Sequence, residues 1–158
     1  MWFCSKCKNQ IHFVHLLSTT GILMDIKVAT AENGGLSFIF QQAYREGWEP
    51  GLKDTTVFSS VDPNGFFVGI VNGKIVGCIS AVKFLNYGFV GYYVVLPEER
   101  GHGYGLQLFQ HGMRYLGTVN TGLDGVPEQV SNYRKSGFKA FHLNVRFRGI
   151  AQHTTPVL

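Results

Sequence analysis

The sequence predicts an α+β (mixed α/β) domain with a single sheet, built from an antiparallel meander followed by a parallel strand–helix–strand crossover, with helices on both faces. Two apolar runs flank Asn72-Gly73, a pair suited to the positive φ angles of a type I′ hairpin turn. A third apolar run leads through a glycine-rich turn into a helical pattern and then a short fourth run. This strand–helix–strand order favours a parallel pair joined by a right-handed crossover.

Composition indicates a soluble domain. The chain has 158 residues, 45% hydrophobic and 15% charged, and a chain of this length can bury roughly 70% of its unfolded surface in one domain. No apolar run approaches the ~18 residues of a membrane span. The net charge is +4 with scattered Lys and Arg, which favours a small anionic partner over nucleic acid or a membrane surface. Three cysteines are too few for a disulfide framework, so we expect a cytoplasmic, or at least intracellular, location.

The first 23 residues show a different residue pattern from the rest of the chain. We expect residues 1–23 to be an N-terminal extension that is disordered or poorly packed, and residues 24–158 to form the domain. Cys4-x-x-Cys7 with His12 and His15 resembles a metal-ligand set. Zinc fingers, however, separate the two pairs by ~12 residues, and here only four intervene. We therefore expect no metal, with zinc as the alternative reading.

The first half of the domain opens with an alternating strand at 24–30. Thr30 is expected to cap a helix that ends at Gly47. A weaker helix is expected over 52–58, and a turn at 62–65. The apolar face of the first helix is expected to consist of Leu36, Ile39, Phe40, Ala43 and Tyr44.

The second half contains the three-stranded meander and the crossover. The helix after the glycine turn is expected to end at Gly117, and a short strand to follow at 119–123. Pro127 and Gly137 bound another helix, and a long final strand is expected over 138–147. The apolar stripe of the helix after the turn is expected to be Leu106, Phe109, Met113 and Leu116.

The glycine-rich turn is the clearest functional signal. Gly101, Gly103 and Gly105 alternate at the start of a helix, where a backbone without side chains can approach a ligand and where amide groups and the helix dipole favour an anion. Arg100 adds a formal charge suited to phosphate oxygens. The turn therefore predicts a phosphate cradle, with a tight structural connection as the alternative.

Two segments resemble sequence motifs of one protein family. Arg100-Gly101-His102-Gly103-Tyr104-Gly105 resembles the R/Q-x-x-G-x-G/A pattern of GNAT-superfamily N-acetyltransferases, and Tyr133-Arg134-Lys135-Ser136-Gly137-Phe138 resembles the family's Y-x-x-x-G-F segment. The residues Val94-Val95-Leu96-Pro97 stand where the family has a bulged strand. The resemblance extends roughly from Met24 to Ile150 and includes the hairpin.

The resemblance implies a site for acetyl-CoA as co-substrate. It implies that amides of the turn hold the pyrophosphate and that Tyr133 hydrogen-bonds or protonates the departing sulfur; a simple packing role for this tyrosine is the alternative. An N–H of Val94 or Val95, freed by the bulge, would polarise the acetyl carbonyl. The cofactor-binding residues implied in this way are Val94, Val95, Leu96, Arg100, Gly101, His102, Gly103, Tyr104 and Gly105.

The sequence departs from the family pattern at several positions. Many members have asparagine and alanine where this chain has Val126 and Gln129, which affects the pantetheine contacts. The stretch GWEPGLKD, residues 47–54, resembles a branch in which a second domain follows the first. This chain ends before such a domain, which implies an incomplete acceptor pocket. Trp48 is expected either to shape that pocket or to close the core, and Cys78 to be a small buried side chain.

The general base is left open. The strand before the turn, 89–96, contains no carboxylate or histidine, yet an alkyl amine with a pKa of ~10.4 costs roughly 4 to 5 kcal/mol to deprotonate at pH 7. A water relay is as good a candidate as any nearby side chain. The side chains near in sequence are Glu49, Asp54, Glu98, Glu99 and His102.

The function predicted from these features is acetyl transfer from acetyl-CoA to a primary amine, on a small molecule or a peptide, by direct attack. The oligomeric state is not predicted. One alternative is an acyl-CoA-binding module that has lost catalysis. Another is a dinucleotide-binding domain, suggested by the glycines and Asp124. Leu106 occupies the third glycine position of that fingerprint, and the turn follows a meander instead of opening the domain.

Overall fold

The computed structural model describes residues 2–4, 23–145, 147 and 149. This part of the chain forms one sheet with the strand order β2-β3-β4-β5-β6-β1-β7, of which β2 to β6 are the main strands. The strands are β1 (Trp2–Cys4), β2 (Asp25–Val28), β3 (Phe66–Val71), β4 (Lys74–Lys83), β5 (Tyr87–Val95), β6 (Asn120–Leu123) and β7 (Lys139–Ala140). The helices are α1 (Gly35–Arg45), α2 (Asp54–Val61), α3 (Tyr104–Leu116) and α4 (Val130–Lys135).

The predicted meander is confirmed. β3 pairs antiparallel with β4, and β4 with β5. Between β3 and β4, Asn72 has φ 48° and Gly73 has φ 76°, the two positive values that a type I′ turn requires. The short loop fixes the register of the hairpin at Val71↔Lys74.

The parallel crossover is also confirmed. The chain passes from β5 through α3 to β6, which lies parallel to β5 with Tyr87 opposite Asn120 and Val90 opposite Leu123. Gly117, with φ 68°, is the C-cap of α3 as predicted. The glycine turn therefore stands between the last strand of a meander and a crossover helix. A dinucleotide-binding unit would instead place it after the first strand of a parallel sheet.

Helices cover both faces of the sheet, as the sequence predicts. Phe67 of β3 faces Leu108 of α3, whereas its neighbours face Ile39 of α1. Because successive strand residues point to opposite faces, a sheet covered on both sides needs continuous apolar runs such as FFVGIV. We call the two layers the α3-side core and the α1-side core. The α1-side core consists of Ala29, Ile39, Phe66, Val68, Cys78, Val82 and Val94.

The start of α1 differs from the prediction. Thr30 is not its N-cap; Gly34 is, with φ 70° and no side-chain cap. The reason is a local loop in which the Asn33 Oδ1 atom accepts hydrogen bonds from the backbone N–H groups of Thr30 and Gly35, at 2.9 Å each. The Thr30 hydroxyl accepts one from the Asn33 N–H at 3.2 Å. Thr30 thus caps this loop, and the helix begins later.

The expected helix faces are confirmed in part, since Ile39 and Ala43 of α1 and Phe109 and Leu116 of α3 are buried. Helix α2 begins later than expected. Tyr44 is 70% exposed and Leu106 is 59% exposed, so neither belongs to a buried face. In α3, Leu108 and Gly112 are buried in place of Leu106. Gly112 has no side chain, so the helix can lie close to β4 there. The buried residues of α1 are Gly35, Ile39, Gln42 and Ala43.

The long final strand is the largest error of the sequence prediction. Only Lys139–Ala140 form a strand, and residues 141–145 have no regular structure. Among the described residues the strand pairs with β1 at Trp2↔Ala140 and Phe3↔Lys139. The apolar residues beyond it find no covering layer among the described residues: Phe141, Leu143, Val145 and Phe147 are 63% to 90% exposed.

The N-terminal segment enters the sheet at its start. β1 lies between β6 and β7 and is antiparallel to both. Residues 5–22, including the metal-like Cys7, His12 and His15, lie outside the described residues, so the expectation for residues 1–23 as a whole stays an expectation. Among the residues that are described, no helix is long and apolar enough to cross a membrane.

Candidate functional site

The sheet opens next to the glycine turn. The pairing of β5 with β6 runs from Tyr87↔Asn120 to Val90↔Leu123. From Gly91 onward β5 continues with pairs to β4 alone in the described residues. A cleft of about 990 Å³ lies along this gap, lined by the open half of β5 and by the segment that follows β6. The gap exposes strand backbone to a ligand without any break in the β4–β5 pairing.

A bulge in β5 divides the walls of this cleft. The register passes from Cys78↔Val94 to Ser80↔Gly91, two steps on β4 against three on β5. Tyr92 takes the extra position with φ 45°, and the Cys78 thiol donates to its carbonyl oxygen at 3.3 Å. The bulge reverses the alternation: Val90 belongs to the α3-side core, whereas Tyr92 packs against the α1-side core.

The predicted bulge therefore exists, slightly before the residues named for it. Val94 and Val95 lie two and three residues after Tyr92, and both line the cleft. The N–H of Leu96 donates to the Val76 carbonyl at 2.9 Å, so this amide is already engaged in the fold.

The glycine turn is open to a ligand. Gly101 has φ 84° and Gly103 has φ 81°, values that L-residues rarely adopt. No described atom lies within 4 Å of the position that a Cβ would take at either glycine. Gly103 is the N-cap of α3 and lacks a side-chain cap, so the first amides of the helix are available to an anion. Gly105 differs, because it lies within the helix and a Cβ there would stand 2.8 Å from the Tyr93 hydroxyl oxygen.

The side chains around the turn have separate roles. Arg100 donates from Nε to the Val95 carbonyl at 3.0 Å and forms an ion pair with Glu46, with Nη2 3.4 Å from Oε1. This pair links the turn to the end of α1, and both residues line the cleft. The His102 ring stacks on Tyr104 with centroids 5.5 Å apart. The Tyr104 side chain is buried in the α3-side core, so only its backbone is placed for a ligand.

Tyr133 lines the cleft, and the role that the resemblance implies for it stays a prediction. It packs edge-on against Phe138 and near Phe109, with ring centroids 6.3 and 6.2 Å apart. A Cβ at Gly125 would overlap the Tyr133 ring, so this glycine leaves the space that the ring occupies. Burial raises the pKa of the Tyr133 hydroxyl. The group therefore stays protonated at neutral pH and can donate a proton.

A second tyrosine, which the sequence analysis did not single out, lies on the same side of the sheet. Tyr93 lines the cleft, and its ring lies 5.8 Å from that of Phe109. Burial, and then the nearby Tyr133, raise the pKa of Tyr93 to about 12. The two hydroxyls therefore lie in one electrostatic environment. The sequence signal was the pair Tyr92-Tyr93, whose opposite orientations depend on the bulge.

The carboxylates near the cleft are not those considered from sequence. The two that line it are Glu46, paired with Arg100, and Asp124, whose Oδ1 accepts a hydrogen bond from Asn144 at 3.0 Å. Asp54 acts behind the wall, where its carboxylate holds the Tyr92 hydroxyl. Burial first, and then the charge and hydrogen bond of Asp54, raise the pKa of Tyr92 to about 12. The others considered, Glu49, Glu98, Glu99 and His102, are not among the lining residues.

The α1 side of the cleft is rich in aromatic rings. Trp48, Phe84 and Tyr92 pack against the α1-side core, and Phe89 pairs with Val82 of that core. These residues and Phe58 of α2 all line the cleft. We call this part of the wall the aromatic mouth; it consists of Trp48, Phe58, Phe84, Phe89 and Tyr92. Val126 and Gln129, the two departures from the family pattern, line the cleft elsewhere. The described residues contain no group of three or more His, Cys, Asp or Glu that could hold a metal.

A sheet split beside a bulged strand, a glycine turn and a crossover helix together form the arrangement expected of a GNAT-like domain. The sequence matches the acetyltransferase (GNAT) family over residues 35–138, and the chain belongs to that family.

A similar protein supports the same family assignment. The chain is 41% identical over 109 residues to holothin acyltransferase from Pseudoalteromonas sp. (strain SANK 73390), a match that covers 68% of this chain and 37% of that protein. The chain thus spans little more than a third of that relative's length.

Solved structures agree on the fold. A GNAT-family acetyltransferase structure from Xanthomonas campestris pv. campestris aligns with a TM-score of 0.65 at 17% identity, covering 82% of this chain and 96% of the other. N-acetylglutamate synthase from Neisseria gonorrhoeae, solved with coenzyme A and N-acetyl-glutamate, aligns with a TM-score of 0.58 at 16% identity, covering 77% and 29%.

Proposed function

We propose that this chain transfers an acetyl group from acetyl-CoA to a primary amine, on a small molecule or a peptide. The observation that carries this proposal is the combination of an open glycine turn with a gap between β5 and β6 that leads from the turn into the fold. Family membership supports acyl transfer, and so does the name of the holothin acyltransferase that the chain is similar to. An intracellular location stays a prediction.

The residues present fit acetyl-CoA. The amides of the turn at Gly101 and Gly103 suit a diphosphate, because the backbone is bare there and the helix dipole favours negative charge. The half of β5 that pairs with β4 but not with β6, which includes Val94 and Val95, offers its other edge to a pantetheine arm. Arg100 contributes mainly by fixing the turn, since its guanidinium is committed to Val95 and Glu46.

The chemical step assigns one role to Tyr133. The thioester of acetyl-CoA supplies an activated carbonyl as the acyl donor. Tyr133 is half-buried in the cleft and protonated, so it can donate a proton to the departing sulfur. General acids of this kind typically contribute ~10² to 10⁴-fold in rate. The opening of β5 at the bulge also suits backbone N–H groups to polarise the acetyl carbonyl.

The function is tested by coenzyme A release from acetyl-CoA in the presence of a panel of primary amines, together with thermal stability. At a concentration of 100 times Kd, coenzyme A should stabilise the folded chain by about 2.7 kcal/mol, a shift of roughly 5 to 10 °C in Tm. NAD at the same concentration should leave Tm unchanged. Transfer should require the amine and should show saturation.

The phosphate cradle has a matched control. Gly103→Val should abolish the stabilisation by coenzyme A, because it places a branched side chain in the turn at φ 81°. Gly73→Val imposes the same backbone strain at φ 76° in the hairpin turn between β3 and β4, outside the glycine turn, so it should keep the stabilisation. Equal stabilisation of wild type and Gly103→Val would contradict the cradle. Stabilisation without turnover over the whole panel would favour the alternative, a binding module without catalysis.

A further inference from the structure

We propose that the acceptor is an aromatic amine, with its nitrogen attached directly to a planar apolar ring that stacks in the aromatic mouth. This inference rests on the proposed function and names its substrate class. Two independent features support it: the rings that form the mouth, and the charges that surround it.

The mouth is lined by five aromatic side chains. Trp48 and Tyr92 are half-buried against the α1-side core, which fixes their planes, and Phe58 is 37% exposed on α2. At the rim, Phe84 stacks on Tyr87 with centroids 4.5 Å apart and an angle of 10° between the planes. Aromatic pairs contribute about 0.5 to 1.5 kcal/mol beyond the area that they bury. A flat ring can contact such a wall over its whole area, whereas a polyamine or a lysine side chain contacts it through a single cationic group.

The charges beside the mouth are already committed. The Glu46 carboxylate pairs with Arg100, and the Asp54 carboxylate holds both the Tyr92 hydroxyl and, at 2.9 Å, the Gly51 N–H. On the other side of the cleft, Asp124 accepts a hydrogen bond from Asn144. An alkylammonium acceptor is favoured by a carboxylate partner on binding and needs a base before it reacts. The carboxylates that surround this cleft already have partners in the fold.

An aromatic amine calls for neither a carboxylate partner on binding nor a base to deprotonate it before it reacts. Its lone pair is shared with the ring, so the nitrogen is neutral at pH 7 and the cost of about 4 to 5 kcal/mol for deprotonating an alkyl amine does not arise. The nitrogen forms a bond to the thioester carbonyl carbon and the carbon–sulfur bond breaks. One N–H proton leaves the nitrogen for water, and the sulfur gains one proton from Tyr133, which recovers it from solvent. The products are the N-aryl amide and free coenzyme A.

The experiment compares amines that differ in one feature, using the full chain and acetyl-CoA. 2-Aminonaphthalene carries its nitrogen on the ring, 2-(aminomethyl)naphthalene moves it one carbon away, and cyclohexylamine and spermidine lack an aromatic ring. At pH 7 we expect kcat/KM for 2-aminonaphthalene to exceed each of the others at least tenfold. Its profile should be flat between pH 6.5 and 9, whereas that of an alkyl amine rises about tenfold per pH unit.

Two variants distinguish an effect on the aromatic mouth from an effect on the cofactor site. Trp48→Leu keeps an apolar side chain and removes a ring face, so kcat/KM for 2-aminonaphthalene should fall about two- to tenfold while stabilisation by coenzyme A is unchanged. Tyr44→Leu, which removes an exposed ring of α1 that is not among the cleft-lining residues, is the control and should change neither value.

The outcomes distinguish this inference from the proposed function. Preference for spermidine or 2-(aminomethyl)naphthalene at pH 7 would overturn the aromatic acceptor and leave acetyl transfer intact. An unaltered rate in Trp48→Leu would also overturn it, because the ring would then lie elsewhere. If no amine of the panel is acetylated, the proposed function fails and the acceptor class fails with it.

Discussion

The two halves of β5 show how one strand serves stability and chemistry. Over Tyr87–Val90 the strand is paired on both edges, with β4 and with β6. Over Gly91–Val95 it is paired with β4 alone and lines the cleft with its free edge. A single extra residue at Tyr92 separates the halves, and it also decides which side chains face each core. The same strand can therefore hold the sheet together and present backbone to a ligand.

The difference between the halves predicts which changes affect catalysis and which affect folding. Substitutions around the open half should change catalysis with little effect on folding, and substitutions under the paired half should do the reverse. The following predictions test this separation, from the largest expected effect to the smallest.

Tyr133→Phe should give the largest change in activity. The variant keeps the ring contacts with Phe109 and Phe138 and loses only the hydroxyl. We expect kcat to fall by ~10² to 10⁴-fold, with the Kd of coenzyme A nearly unchanged, measured by steady-state kinetics and titration. Tyr44→Phe, at an exposed ring, is the control. A wild-type kcat in Tyr133→Phe would leave this tyrosine with the packing role alone.

Leu116→Ala should give the largest change in stability. Leu116 is 1% exposed and lies under the paired half, where a Cβ at Gly88 would meet its Cδ2 at 2.6 Å. The cavity should lower the free energy of unfolding by about 2 to 5 kcal/mol, while kcat of the folded protein stays unchanged. The matched control is Leu106→Ala on the same helix, 59% exposed, which should stay within about 0.5 kcal/mol of wild type. Urea denaturation measures both, and similar losses in the two variants would contradict the assigned helix face.

The parts of this fold that the sequence predicts are those fixed by neighbouring residues. Asn72-Gly73 determines its hairpin alone, and the glycine turn and Gly117 bound α3 by local backbone preference. The parts that it misses depend on distant partners. The final strand, Lys139–Ala140, pairs with β1 from the opposite end of the chain, a partner that no local pattern indicates.

The candidate site also contains residues that the sequence predicts and residues that it misses. The turn and Tyr133 are motif residues and were found from the sequence. Glu46 was missed, because only the folded chain brings the end of α1 to Arg100, 54 residues away. Apart from Trp48, the aromatic mouth was missed because its rings come from four separate segments of the chain, and no local pattern marks the point where β5 and β6 separate.

Alkaline pH should weaken the fold through the open half. Burial raises the pKa of Tyr92 and of Tyr93 to about 12, from an ordinary value of 10.0. A raised pKa means that the folded state favours the neutral phenol. This stability is fully present below pH 10 and is lost as the pH rises through 12. Tyr93→Phe should flatten the decline between pH 10 and 12 by at most about 1.4 kcal/mol per pH unit, measured by urea denaturation at each pH. An identical slope in wild type and variant would contradict the burial of Tyr93.

The contact between Gly105 and Tyr93 gives the smallest and most specific test. Alanine at an exposed helix position is normally better than glycine by about 0.5 to 1 kcal/mol, yet a Cβ at Gly105 would lie 2.8 Å from the Tyr93 hydroxyl oxygen. The ring has little freedom to move, because it packs against Phe109. Gly105→Ala alone should therefore give no stabilisation and should weaken coenzyme A binding by displacing Tyr93 into the cleft. In the Tyr93→Phe background the same change should regain about 1 kcal/mol. Additive effects of the two substitutions on the free energy of unfolding would show that the hydroxyl is not what limits this position.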